Sequence, residues 1–263
     1  MRRDTPAPDP PVSLSLVVPT YNERDRLPDL VEAIFTAYSS ERVHAELIIV
    51  DDNSPDGTGA LADGLARRHR ITVLHRTGKL GLGTAVVEGF AAAKGKIVGV
   101  IDADMSHPPA MLPRMLAVMQ QTSADVVVAS RYIPGGGTRN WPASRLMMSR
   151  FACLMARGLT PVRDATSGFF LIRKDLAGGV TISAGGFKIC LELLVRAQPS
   201  SIVEVPYVFE NRTAGESKMN RREAWGYVDQ LKNLRRFVRE HPAPKQSYRA
   251  LSVEELAALP LSM

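Results

Sequence analysis

The chain is poor in cysteine: Cys153 and Cys190 are the only two among 263 residues. Both lie in apolar stretches without metal-type spacing, so they read as buried free thiols in a reducing compartment. No apolar run reaches the roughly 20 residues that a bilayer-spanning helix needs. After Met1-Arg2-Arg3 comes DTPAPDPPV, which has no apolar core for a signal peptide. These absences predict a soluble or peripheral protein. Aromatics are only 6% of the residues and are not interleaved with the basic ones, which argues against nucleic-acid binding. The phosphate loop Gly-x-x-x-x-Gly-Lys-Ser/Thr is missing too. GKLGLGTA (78–85) follows a strand-like run and precedes a helical one, as a dinucleotide loop would. However, Val86 stands where the third glycine belongs, and the strand is the third rather than the first. Lys79 beside this turn is a candidate phosphate contact.

The hydrophobic fraction of 45% and charged fraction of 23% are those of an ordinary globular domain. Lys plus Arg is 33 against 27 for Asp plus Glu, a net +6 that suits an anionic partner and equally suits a plain basic protein. There is no internal repeat. Apolar runs at 14–20, 46–52, 71–75, 96–104 and 125–132 alternate with helical patterns at 28–38, 56–69, 84–94 and 109–121. That order, with runs apolar on both faces, predicts an α/β fold: a mostly parallel sheet flanked by helices. Beyond it, 135–142 reads as a loop, 142–159 as a helix, 164–175 as a strand with its approaches, and 188–197 as a helix. Residues 201–209 read as one strand and 221–239 as a long basic helix. Ser252 and Glu255 form a capping box before a short apolar stretch.

In an open α/β sheet, ligands bind at the carboxyl ends of the strands. Three acidic clusters fall there: Tyr21-Asn22-Glu23, Asp51-Asp52-Asn53 and Asp102-Ala103-Asp104. Carboxylates converging on one crevice repel, so a positive group belongs among them. Hard Mg²⁺ or Mn²⁺ prefers carboxylate oxygen and keeps positions open for a substrate phosphate. Turns and helix caps would explain any single cluster, but explain all three together poorly. Counter-charges are at hand in Arg131, which ends the fifth strand, and in Arg212 and Lys218, which flank the turn in NRTAGESKMN (211–220). A solvated basic loop explains the last two equally well by composition.

VVPTYNE, IIVDDNSPDGT, KLGLGTA, IDADMSHPP, ASRYIPGGG, DATSGF and EVPYVFENRTAGESK occur in this order. Together they resemble the dolichyl-phosphate (polyprenyl-phosphate) mannose synthases of inverting glycosyltransferase family 2, over about residues 14–220. The resemblance implies a GT-A, Rossmann-like fold in a single domain with a basic C-terminal helix. The Pro-rich start (1–12) reads as disordered and 241–263, with its Pro breaks, as a tail, which leaves a domain at 13–240. The domain would comprise a nucleotide half (about 13–132) and an acceptor half (about 133–240). Pro19, Tyr21, Glu23, Val50 and Asp52 would hold the guanine nucleotide. Asp102, Ala103 and Asp104 would hold the sugar diphosphate, with Asp102, Asp104 and Ser106 on the metal. Arg131, Arg212 and Lys218 would bind phosphates, and Asp104, Arg131 and Lys218 would be catalytic. Asn53, Phe170 and Gly185 depart from the family pattern, the last two near the acceptor side.

The implied reaction is attack by a polyprenyl-phosphate oxygen on C1 of GDP-mannose. No convincing catalytic histidine accompanies it, since His107 before Pro108-Pro109 reads as a loop shaper. RLMMSRFACLMARGL (145–159) reads as an interfacial helix or as a core helix with solvated arginines. The partners expected are GDP-mannose, a polyprenyl-phosphate lipid and a membrane surface on its cytoplasmic side, reached through a membrane-embedded partner protein. Rival readings are a polyprenyl-phosphate transferase using a UDP-sugar, a polysaccharide or small-molecule transferase, and a non-catalytic nucleotide-binding subunit. The intact aspartates, Arg131 and Lys218 argue against the last.

Overall fold

The computed structural model describes residues 12–41, 43–180, 182, 188–211 and 221–261, with only the backbone of 221–223. Residues 1–11 of the Pro-rich start, and Arg212 and Lys218, lie outside the described residues. The first half alternates as its sequence predicts: β1 (Leu14–Thr20), α1 (Leu27–Ser40), β2 (Ala45–Asp51), α2 (Thr58–Ala66), β3 (Ile71–His75), α3 (Leu82–Ala92) and β4 (Ile97–Val100). A 3₁₀ turn (Pro109–Met111) leads into α4 (Leu112–Thr122), then β5 (Val126–Ser130), β6 (Gly137–Arg139) and α5 (Ala143–Ala156). The rest comprises β7 (Phe170–Arg173), α6 (Lys174–Ala177), α7 (Ile189–Arg196), β8 (Ser201–Pro206), β9 (Val208–Glu210), α8 (Arg221–Glu240), β10 (Ser247–Ala250) and α9 (Val253–Ala258).

Eight strands form one sheet in the order β10-β8-β5-β7-β4-β1-β2-β3. β2 is buried at every residue, which is why its run is unbroken rather than alternating. Along β1 the side chains still divide by parity. Leu14, Leu16 and Val18 join Leu30, Ile34 and Leu116 of α1 and α4 on one face, while Val17 joins Val86, Phe90 and Leu191 of α3 and α7 on the other. Gly89 lets α3 approach β1, since a Cβ there would come within 2.5 Å of Val17.

Two features differ from the sequence expectations. β7 runs antiparallel between β4 and β5, with Phe170 opposite both Val100 and Val128. Phe169 to Ile172 is apolar in either direction, so its sequence carries no sign of strand sense. The consequence is functional: residues 164–169 arrive at the carboxyl-end rim, beside the end of β4. The second difference is at 201–209, which is two strands. Beyond Pro206, the Tyr207 N–H donates to Ser130 O at 3.1 Å. Val208–Glu210 then pairs with Gly137–Arg139, inside the stretch expected to be a loop.

The C-terminal residues close the sheet. β10 pairs in parallel with β8, and the expected capping box of Ser252 and Glu255 starts α9. Gln121 Nε2 donates to Pro260 O at 2.7 Å and Arg114 Nη1 to Leu256 O at 3.2 Å, tying this segment to α4.

Candidate active site

The carboxyl ends of β1 and β2 carry the expected nucleotide set. Pro19 and Val50 are register partners, and Tyr21, Glu23 and Asp52 follow within three residues or fewer. Glu23 fastens the crevice by its backbone: its N–H donates to Thr58 Oγ1 at 3.0 Å and its carbonyl accepts Leu27 N–H at 2.9 Å. Asp51 is spent locally, accepting Thr20 Oγ1 (3.0 Å), Ser54 Oγ (2.5 Å) and Ser54 N–H (3.0 Å). Asn22 and Asn53 sit at φ 59° and 56°, a left-handed conformation that asparagine tolerates. Asp52 is different. It pairs with the buried Arg76 and accepts the Gly81 N–H at 3.0 Å. Arg76 in turn donates to Gly81 O (3.2 Å) and Thr84 Oγ1 (2.5 Å), and pairs with Glu88 at 3.2 Å. The glycine-rich turn is thus strapped to the end of β2. Lys79, expected to contact phosphate, holds its ammonium 3.8 Å from the centroid of the Tyr21 ring.

The Asp102-Ala103-Asp104 motif follows β4 directly. Ala103 and Asp104 are buried, and Asp104 Oδ1 accepts the Ser106 N–H at 2.9 Å across Met105, at φ 62°. The Asp102 side chain keeps 36% exposure, and its Oδ2 lies 3.2 Å from His107 Nε2. His107 is buried against the rings of Phe169, Tyr207 and Phe209, at centroid distances of 5.3, 5.5 and 5.2 Å. It aims Asp102 and is too enclosed to exchange protons with a ligand. Ser106 Oγ is buried and has no hydrogen-bond partner among the described residues.

Two carboxylates and an orphaned hydroxyl fit a hard divalent cation. Among the described residues no group of three or more His, Cys, Asp or Glu forms a metal cage. A cation held here would therefore complete its shell with oxygens of a ligand, as Mg²⁺ does with substrate phosphates.

Beside Asp102 opens a pocket of about 90 Å³, lined among others by Leu82, Val86, Gly168, Lys188 and Ile189. Desolvation, and then the like charge of Arg131, pull Lys188 below the ordinary lysine range; Asp102 counteracts them. Arg131 is buried and committed to Asp164. Its Nε and Nη2 donate to the two carboxylate oxygens at 2.7 Å each, and its backbone N–H adds a bond of 2.9 Å. Burial opposes that charge, but Asp164 outweighs it and holds Arg131 above the ordinary arginine range. Glu204 steadies the partner by accepting the Arg163 and Asp164 N–H groups at 2.8 and 3.0 Å.

Arg76, Asp164 and Lys188 were not among the residues expected from the sequence. Asp164 was visible within DATSGF, and a buried arginine requires a carboxylate, but nothing along the chain pairs it with Arg131, 33 residues away. Arg76 and Lys188 carry no local signal.

The chain was then compared with known proteins. The model of "Glycosyl transferase family 2" matches residues 15–180. Polyprenol monophosphomannose synthase of Mycolicibacterium smegmatis is 41% identical over 90% of this chain and 96% of its own length. Dolichol-phosphate mannosyltransferase of Pyrococcus furiosus is 36% identical over 87% of this chain, which spans 65% of that relative. Among solved structures, a mannosyltransferase from Pyrobaculum calidifontis in complex with GDP-Man and Mn²⁺ superposes with a TM-score of 0.61 at 19% identity, covering 91% of this chain and 68% of that one. The last, at 19% identity, shares the fold. The chain belongs to glycosyltransferase family 2, in the group of the dolichol-phosphate mannosyltransferases and polyprenol monophosphomannose synthases.

Proposed function

We propose that this chain transfers mannose from GDP-mannose to a polyprenyl monophosphate, inverting the anomeric centre and releasing GDP. The observation that carries the reading is the placement of Asp102 and Asp104 directly after β4, at the carboxyl-end rim, with the buried Ser106 hydroxyl unpartnered among the described residues. Such a set suits a divalent cation that shares its shell with a diphosphate. A divalent cation, Mg²⁺ or Mn²⁺, held by Asp102, Asp104 and Ser106 would supply charge to the diphosphate as GDP leaves.

The chain's own residues divide the remaining work. Pro19, Tyr21, Glu23, Val50 and Asp52 bind the nucleoside, within a nucleotide half of about 13–132. Ala103 keeps the backbone between the two aspartates close to the sugar diphosphate. Arg131, Arg212 and Lys218 offset the negative charge of two phosphate-bearing substrates, and Arg131 does so from a fixed position on Asp164. The incoming phosphate oxygen is already an anion near neutral pH, so no general base is called for. Enclosure of His107 accords with that. Each preorganised charge contact of this kind is worth on the order of 3 kcal/mol, about a hundredfold in rate.

No helix of the described residues is long and apolar enough to cross a membrane. α5 instead presents Met147, Met148, Phe151 and Leu154 to solvent, with Arg150 and Arg157 interspersed. An apolar face flanked by arginines suits the cytoplasmic surface of an anionic membrane, where the lipid acceptor resides, with a membrane-embedded partner as a further anchor.

The test is mass spectrometry of the lipid formed by the purified chain from short-chain polyprenyl phosphate and equal GDP-mannose and UDP-glucose, with Mn²⁺ and with chelator. The expected product is mannosyl phosphoprenol, lost with chelator. A glucosyl product, or none, would overturn the reading.

A further inference from the structure

The pocket beside Asp102 has a cation in its lining. Lys188 directly precedes α7 and lines the pocket. Its carbonyl accepts both the Glu192 N–H and the side-chain amide of Gln230 of α8, each at 3.2 Å. Gln230 Nε2 also donates to the buried Glu192 carboxylate at 2.8 Å, and Glu192 pairs with Arg196 at 2.9 Å. The backbone of Lys188 is therefore anchored by a buried network, and its desolvated ammonium has Asp102 as a favourable charge across the pocket lining without a hydrogen-bonded ion pair among the described residues. A desolvated charge only partly offset in this way is better satisfied when a ligand brings an anion to it.

The rest of the pocket says what kind of anion. Lys188 shares the lining with Thr166 and Ser167, whose hydroxyls suit a phosphate, and with the apolar Leu82, Val86 and Ile189. Leu80, Leu82 and Val87 of the glycine-rich turn and α3 are exposed by 53%, 42% and 38%. A cation beside hydroxyls in a pocket whose other walls include Leu82, Val86 and Ile189 is complementary to an amphiphile: an anionic head on a hydrocarbon chain.

We infer that Lys188 binds the phosphate of the isoprenoid acceptor, and that Leu82, Val86 and the exposed rim at Leu80 and Val87 take the isoprene units next to it. This rests on the proposed transfer to a polyprenyl phosphate and deepens it. In a ternary complex the acceptor phosphate would then share the pocket with Asp102, its negative charge met by Lys188.

The experiment compares wild type with Lys188→Met, which keeps the length of the stem and removes the charge, and with Lys188→Gln. Steady-state rates are measured against farnesyl phosphate at saturating GDP-mannose. GDP-mannose binding is measured separately by calorimetry with Mn²⁺, in the absence of acceptor. Thermal melts followed by circular dichroism establish that each variant is folded. The expected result is a rise of at least tenfold in the KM for farnesyl phosphate in both variants, with the Kd for GDP-mannose within twofold of wild type. A folded variant with unchanged acceptor KM would overturn the assignment while leaving mannosyl transfer intact. So would an equal loss of GDP-mannose affinity, which would move Lys188 to the donor sugar. A wild-type protein that turns over no polyprenyl phosphate would instead sink the transfer reading, and this inference with it.

Discussion

Gly168 faces the carboxylate of Asp102 so closely that a Cβ at this glycine would come within 2.7 Å of Asp102 Oδ2. The atoms it would meet are all at the far end of a flexible side chain, so the fold need not yield; the carboxylate swings away. Gly168→Ala is expected to change stability by less than about 1 kcal/mol. It should weaken Mn²⁺ binding in the presence of GDP about tenfold or more, the usual effect of disturbing the support of a metal ligand. Calorimetric titration of Mn²⁺ into the GDP complex, paired with a urea melt, reads both. A tenfold loss of metal affinity with unfolding unchanged is the signature; a large loss of stability would mean that the glycine serves packing instead.

The Arg131–Asp164 pair should behave as a structural clamp. Removing one partner of a buried pair strands the other charge and costs about 3–5 kcal/mol. Asp164→Asn is expected in that range by urea denaturation. Arg131→Met combined with Asp164→Leu should recover much of the loss, while turnover should remain low if Arg131 has the phosphate role proposed for it.

Asp52 and Arg76 hold the glycine-rich turn against the end of β2, where the nucleotide is proposed to bind. Arg76→Met frees that turn and leaves Asp52 without its main partner. GDP affinity is expected to fall about tenfold or more, and the acceptor KM to hold. Fluorescence competition with a labelled guanine nucleotide checks the first, steady-state kinetics the second.

Both cysteines should be chemically inert. Burial, reinforced by Asp164, pushes the Cys153 thiol up to about 11, and burial raises Cys190 well above the usual thiol range. Since the thiolate is the nucleophile, and its fraction rises only as pH approaches the raised pKa, neither should react with a thiol reagent at mildly alkaline pH in the folded protein. Both should react in denaturant. Rapid labelling of the native protein would contradict the burial described.

On α5, Met147→Glu with Phe151→Glu should cut flotation with anionic vesicles at least tenfold, since two apolar side chains of about 1.5–3 kcal/mol each would be replaced by charges. Activity toward a short, water-soluble polyprenyl phosphate should be spared. Equal flotation of the variant and wild type would move the membrane contact elsewhere.

The ends of β1, β2 and β4 could be located from residue order alone because a buried parallel strand is an unbroken apolar run, and its termination in carboxylates is conspicuous. The sense of β7 could not, since Phe169 to Ile172 reads alike in both directions. Pairings across space were equally hidden: Arg76 with Asp52 and Arg131 with Asp164 join positions 24 and 33 residues apart. The break after Pro206 has a local cue, a proline without an N–H, but its cause is the Tyr207 bond to Ser130 across the sheet. Lys188 looked like one basic residue among many until its neighbours in the pocket were known.

β10 lies at the edge of the sheet and reaches the rim through a single hydroxyl. Tyr248 donates to Glu204 at 2.5 Å, and that same carboxylate fixes the backbone carrying Asp164. During synthesis, β8 emerges as an open edge and Glu204 waits with part of its hydrogen bonding unfilled. Only when residues 247–250 leave the ribosome is that edge covered and the clamp on Arg131 fully braced. A ribosome stalled short of Ser247 would hold a nascent chain with nearly all of its rim residues translated, yet exposed to pairing with a neighbour's strand.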